Sequence, residues 1–365
     1  MAFKFETDES FAKAVPRVAR ERVERVIEYL SERPHPDAES IHSARKDLKS
    51  LRAVLRLARG AIPDEETRRT ANILFRDTGR ALSPLRDSQA LVEALQKFAK
   101  GKFRTRSRNS EAQKSGSDFI GKVQSRIQQE AVEELPQYVL KQLRENLREG
   151  TGSIDRWFEK SSPEPVNEWE TFVGRGLRGT YRRGKNIVVQ LETLGRENAG
   201  DDTWHELRKC AKALGYQLRL LRFVWPNLIG ALNEAIDQLT ENLGDDHDLV
   251  VLRNRLLNEP YNSSETQSAA ETRLNLIESL GRRRRKLQAE AFQVACRVYS
   301  EKPRQFENRI RCYWEISRIK PARAPALKPP PAVASSLKSE KIGAPPSETV
   351  RLSSHPRGRA QNVAN

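Results

Sequence analysis

Two short segments carry side chains able to hold a polyanion together. In the first, His42, Arg45, Lys46, Lys49, Arg52 and Arg56 recur at helical spacing. At about 100° per residue they share an arc of roughly 120°. Ile41, Ala44, Leu48, Leu51, Leu55 and Ala58 fall on the opposite arc. In the second segment His205, Arg208, Lys209, Lys212, Tyr216 and Arg219 share one face, and Trp204, Leu207, Ala211, Leu214, Leu218 and Leu221 share the other. A guanidinium donates two parallel hydrogen bonds to a phosphate, and an ammonium acts as a point charge. Rows one turn apart, about 5.4 Å, can follow a repeating anion. No acid stands at the i+4 positions that would neutralise the stripe, and like charges there destabilise a lone helix by a few tenths of a kcal/mol per pair. A solvated basic face is the plain alternative. It does not account for the same face occurring twice.

The recurrence is close. HSARKDLKSLRAVLRLAR (42–59) and HELRKCAKALGYQLRLLR (205–222) agree at nine of 18 ungapped positions. ALSPLRDSQALVEAL (81–95) then resembles NLGDDHDLVVLRNRL (242–256), with Asp87 over Asp248. The His-to-Asp spacing is 45 residues in the first half and 43 in the second. Two like helical units, about 9–100 and 166–258, are therefore expected to pack about a pseudo-twofold axis, as like subunits do. Gly215 stands where the first copy has Arg52, and His247 where it has Arg86.

Other basic rows accompany the pair. Arg17, Arg20 and Arg25 lie on the first expected helix. Arg175, Arg178 and Arg182 hold the corresponding place in the second half, and Arg76, Arg80 and Arg86 follow the first His-bearing helix. If the repeats face each other, these rows line one positive groove or pore. Ser40 and Thr203 are expected as N-caps, beside Glu39 and Asp202, which would put both histidines in a first turn where free N–H groups favour anions. The run Arg282–Arg285 with Lys286 is expected to be an exposed patch.

The rest of the chain must position these faces. Helical periodicity runs through nearly all of it, and strand alternation is nearly absent. Helices are expected at 9–31, 39–60, 64–83, 86–100, 118–149 (broken at Pro136), 166–192, 202–224, 227–243, 246–258 and 266–300, an all-α fold. The polar segment 101–117 reads as a mobile loop. The last 45 residues hold eight of the 19 prolines, and this Pro/Ala/Ser-rich basic tail, 321–365, is expected to be disordered. Lys and Arg outnumber Asp and Glu by 65 to 49, a formal charge of +16. That excess repels itself unless an anionic partner relieves it. Three cysteines without a CxxC argue against a disulfide framework and fit a reducing, cytoplasmic setting. No signal peptide is visible, and no apolar run is long enough to span a membrane.

The pattern I-H-x-x-R-K-x-x-K-x-L-R (41–52), then L-x-x-L-R-D (82–87), then H-x-L-R-K-x-x-K-x-L-x-Y (205–216) resembles the CHAD domain, the conserved histidine α-helical domain, over roughly residues 5–320. The resemblance implies two four-helix bundles related by a pseudo-twofold axis, with a basic central groove or pore. It implies binding of inorganic polyphosphate and, in several members, association with polyphosphate granules. His42, Arg45, Lys46, Lys49, His205, Arg208, Lys209 and Lys212 match the family's basic signature, and Tyr216 a usual position. Asp87 and Asp248 match an Asp taken to be structural, as an N-cap or an orienting partner for Arg. A triphosphate-cleaving domain that often accompanies CHAD would show acidic strands ending in ExExK, and none is present.

Two further function classes fit part of the pattern. Nucleic-acid binding suits a pI near 9.9 and clustered basic helices. It lacks a helix-turn-helix signature and an aromatic stacking platform, although a nonspecific hold on RNA or DNA is expected. A metal-dependent phosphohydrolase could use Asp245, Asp246, His247 and Asp248, but these follow Gly244 at an expected helix boundary, where acids serve the next N-terminus. No P-loop, GxSxG, HExxH or zinc-ligand spacing occurs. The expectation is therefore no catalytic residue, no metal and no cofactor, with an open oligomeric state.

Overall fold

The computed structural model describes residues 3–32, 35–62, 64–102, 110–130, 134–160, 168–258 and 267–319. Among these residues all regular structure is helical. The order is α1 (Phe11–Tyr29), α2 (Ala38–Leu57), α3 (Glu65–Ala81), α4 (Pro84–Lys102), α5 (Ser110–Gln129), α6 (Gln137–Lys160), α7 (Arg175–Leu194), α8 (Asp201–Leu220), α9 (Pro226–Asn258), α10 (Gln267–Val298) and α11 (Pro303–Ser317). A π-helical turn, Glu170–Gly174, leads into α7. The expected disorder of 321–365 lies outside the described residues.

Helix contacts close into rings of four. One ring joins α1, α2, α3 and α6, and a second joins α7, α8, α9 and α10. A third joins α4 and α5 to α9 and α10. Apolar stripes explain the closure, because each helix must bury one face against neighbours. Val15, Val23, Leu48, Leu51, Phe75 and Leu147 fill the first ring, and Leu177, Leu207, Leu214, Ile236 and Ala295 the second, within one continuous core. The third ring has its own small core of Val92, Leu95, Phe98, Ile127, Leu252, Leu256 and Leu280.

Several boundaries differ from the sequence expectation. The break expected at Pro136 within 118–149 does separate α5 from α6, but α5 begins earlier, at Ser110, and α6 continues to Lys160 and completes the first ring. Of the expected loop 101–117, residues 101–102 belong to α4 and 110–117 to α5, while 103–109 lie outside the described residues. Gly244 does not end a helix. The helix α9 runs straight through it, and a Cβ there would stand 3.2 Å from Nη2 of Arg208. The glycine makes room for a neighbouring guanidinium instead of breaking the chain. Helix α11, absent from the expectation, starts with Pro303 in its first turn, where a missing N–H costs nothing.

Candidate anion-binding surface

The two repeated helices touch. Helix α2 packs on α8 and also on α7. Gln217, fully buried, donates from Nε2 to the Ala53 carbonyl at 3.4 Å across the α2–α8 contact. Gly176 lets α7 cross the end of α2 so closely that any Cβ would overlap the backbone carbonyls of Arg56 and Leu57. With Leu48, Leu51, Leu55, Leu207, Leu214 and Leu218 buried beneath, both polar stripes are held at the surface.

Lys49 and Lys212 occupy corresponding positions in the repeat and lie within electrostatic reach of each other. Lys49 is exposed and Lys212 half-buried, yet enough protein surrounds both ammonium groups to desolvate them. That burial comes first among the causes that push Lys49 down to about 8, followed by Arg45 and Arg208. For Lys212 burial, then Arg208 and Lys49, bring it to about 7. Among the described residues neither lysine forms an ion pair, and neither do Lys46, Arg56 or Arg208. Arg208 lies near Asp245, Asp246 and Asp248, but burial of its guanidinium outweighs them and its Nε is unsatisfied. Burial and then Arg56, Arg76 and Arg80 lower Arg52 to about 10; its Nε donates to Asn72 Oδ1 at 2.9 Å. Arg56 feels Arg183 of α7 and Arg68 of α3. The basic surface thus runs from Arg208, Lys212 and Lys49 past Arg52 to Arg56, flanked by Arg76, Arg80 and Arg183.

All three histidines near this surface are held toward the neutral form. Burial lowers His42, assisted by Arg86 and the lysines of α2. It lowers His205, assisted by Lys209 and Arg208. His247 reaches about 4, through burial and then Arg208, His205 and Lys212. The His205 and His247 rings lie 4.6 Å apart between centroids, and His205 Nδ1 is buried without a partner.

Other residues expected in the site are engaged elsewhere. Arg45 donates to Asp87 Oδ1 at 3.3 Å, so Asp87 orients an arginine and is not an N-cap. Arg86 forms a double contact with Glu93 at 2.8 and 3.0 Å. Lys209 pairs with Glu206 at 2.5 Å, and Arg219 with Asp237. Tyr216 packs edge-on against Phe3 and beneath Arg219. Arg76 and Arg80 share Asp77. Arg17 is bound by Glu9 and Glu21, Arg20 by Asp155, and Arg178 by Glu170 and Glu307. Arg182 is exposed and, among the described residues, forms no ion pair. Its neighbour Arg183, not singled out by spacing, is the residue that acts on Arg56.

Three local expectations are corrected. The N-cap of α2 is Asp37, whose carboxylate accepts from Ser40 N at 2.7 Å, and α8 begins after Gly200. Both histidines are therefore fifth in their helices, beyond the first turn and its free N–H groups. Asp246 is no helix start either: it lies buried within α9, paired to Arg284 at 2.9 Å and accepting from Gln288. Arg284 also reaches Asp201, so the run 282–286 is not wholly an exposed patch. Among the described residues no group of three His, Cys, Asp or Glu side chains is arranged to hold a metal. A cavity of about 300 Å³ beside the surface is lined by Phe98, Leu249 and Leu287, with Asp248 at its edge and Lys97 tied to Asp245. No described helix is long and apolar enough to cross a membrane.

No curated protein is similar enough to the chain to count as a match. The family model of the CHAD domain matches residues 17–257, which spans both histidine helices and the α2–α8 contact between them. That match covers more than half of the sequence, and the chain belongs to the CHAD domain family.

Proposed function

We propose that this protein binds inorganic polyphosphate without chemically altering it. The observation that carries the reading is the cluster of cations where α2 meets α8 that, among the described residues, form no ion pair: exposed Lys46 and Lys49 and half-buried Arg56, Arg208 and Lys212. Crowding half-buried ammonium and guanidinium groups together is unfavourable unless a ligand supplies the opposite charge. A linear polyanion contacting several of them at once does so. The first two helix rings are read as bundles related by a pseudo-twofold axis, with the basic surface as the groove between them. Cytoplasmic residence on polyphosphate granules accords with this reading.

The surface has little in it to read bases. It is rich in phosphate donors and carries no exposed aromatic stack along the lysine pair, which favours a ligand with phosphates only. Nucleic acid remains the second reading, because the electrostatic attraction is shared.

Competition binding near physiological salt tests both. Labelled long-chain polyphosphate is challenged with duplex DNA, RNA and orthophosphate. Retention against a large excess of nucleic acid supports polyphosphate. Ready displacement by DNA or RNA moves the function to nucleic acid, and metal-dependent phosphate release by the pure protein overturns the non-enzymatic reading.

A further inference from the structure

One turn from each of α4, α9 and α10 faces the cavity of about 300 Å³ in the third helix ring. Ala94, Lys97 and Phe98 stand at i, i+3 and i+4 on α4, and Asp245, Asp248 and Leu249 repeat that spacing on α9, so each set shares a face. Helix α10 adds Arg283 and Leu287, four residues apart. Phe98, Leu249 and Leu287 are buried and form an apolar wall, and Ala94 lines the space with a single methyl group. Of the four charged groups, two satisfy each other: Lys97 Nζ donates to both Asp245 carboxylate oxygens at 2.7 Å. The other two, Asp248 and Arg283, are half-buried and, among the described residues, form no ion pair with each other or with any neighbour. Asp248 lies within electrostatic reach of Arg208 and Lys212 without pairing to either. The chain neighbours of Arg283 are engaged, Arg282 by Glu278 and Arg284 by Asp246. The cavity thus offers an apolar wall, one carboxylate and one guanidinium.

We propose that this cavity is a binding site for a small zwitterion with an apolar body, of the class of the apolar α-amino acids. The ligand's ammonium pairs with Asp248, its carboxylate pairs with Arg283, and its side chain lies against Phe98, Leu249 and Leu287. Charge disfavours the other classes. An apolar anion would meet Asp248, and an apolar cation would meet Arg283, each leaving one half-buried charge uncompensated. An uncharged apolar molecule would leave both. The size agrees, since about 300 Å³ stands at the lower end of the range for small-molecule pockets. The site shares no residue with the cation cluster proposed to hold polyphosphate, so it stands or falls independently of that reading.

Isothermal titration of the full chain with L-phenylalanine tests the site, with phenethylamine and 3-phenylpropionate as probes that lack the carboxylate and the ammonium respectively. L-Phenylalanine is expected to bind with a Kd on the order of 0.1 mM, and each truncated probe about tenfold or more weakly. Arg283→Gln should abolish the advantage of phenylalanine over phenethylamine, and Asp248→Asn its advantage over 3-phenylpropionate. Ala94→Leu, which fills the cavity, should remove binding of all three probes. Thermal melts check that this variant folds, and the two polar variants decide the matter if it does not. No heat and no rise in melting temperature with L-phenylalanine or L-leucine at about 10 mM refutes the proposal. Equal affinity for the truncated probes refutes it too, because the charges then select nothing. Binding unchanged in both polar variants places the ligand elsewhere and refutes it as well.

Discussion

Replacing Lys212 by glutamine should stabilise the ligand-free protein at neutral pH while weakening its hold on polyphosphate. The magnitude follows from the Lys212 ammonium, displaced from its ordinary 10.5 to about 7 by burial and by Arg208 and Lys49. A tenfold change in proton affinity is worth ~1.4 kcal/mol, so keeping this group charged below pH 7 costs at most ~5 kcal/mol. Lys212 is only half-buried, and solvent screening reduces this to ~1–2 kcal/mol. The sign is fixed by linkage. The unfolded chain binds the Lys212 proton more tightly than the folded one, so stability rises with pH between about 7 and 10.5, and the full penalty applies below that window. Urea unfolding of wild type and Lys212→Gln at about pH 6.5 and pH 9 checks both parts. The variant should be more stable by ~1–2 kcal/mol at the lower pH, with the gap closing at the higher. A variant no more stable at pH 6.5, or a gap indifferent to pH, would refute the claim that the cationic surface is held against its own charge.

Lys46→Glu should weaken polyphosphate binding more than Lys209→Glu, because among the described residues Lys46 forms no ion pair and Lys209 is already paired with Glu206. A loss of about tenfold or more is expected for Lys46→Glu at low salt, with a shallower salt dependence, and equal losses would shift weight away from the α2 stripe. Gly176→Ala should destabilise by ~2–3 kcal/mol or prevent folding, since its Cβ would overlap the Leu57 carbonyl, whereas Gly121→Ala on α5 meets nothing and should gain ~0.5–1 kcal/mol. Thermal melts of the two variants distinguish close crossing from general glycine intolerance. Arg284→Met alone should cost ~3–5 kcal/mol by stranding buried Asp246, and adding Asp246→Leu should restore most of it. A double variant as unstable as the single one would mean that packing, and not charge, decides the site.

Much of the architecture could be read from residue order. Period-3.6 stripes located nearly every helix, because burial of one face is a local property of spacing. The duplicated His-Arg-Lys segment announced two basic helices, and it also singled out Lys49 and Lys212. Gly244 was misjudged because a mid-helix glycine has two causes, a break or a close neighbour, and only Arg208 on another helix distinguishes them. The N-caps were displaced for a similar reason: Asp37 reached Ser40 first, and Ser40 and Asp37 are both competent caps by composition.

Tertiary structure decided which cations remain available. Charge, periodicity and the repeat are written along the chain, so sequence alone determined that the protein is helical, basic and twofold in pattern. Ion pairing depends on partners brought from far away. Arg20 meets Asp155 and Arg178 meets Glu307 across more than a hundred residues, and both are engaged in ion pairs there. Lys49 and Lys212 come together for the same reason and, among the described residues, form no ion pair there. Like charges become a binding site only when packing forces them together and withholds the counter-charge, and that is a property of the fold.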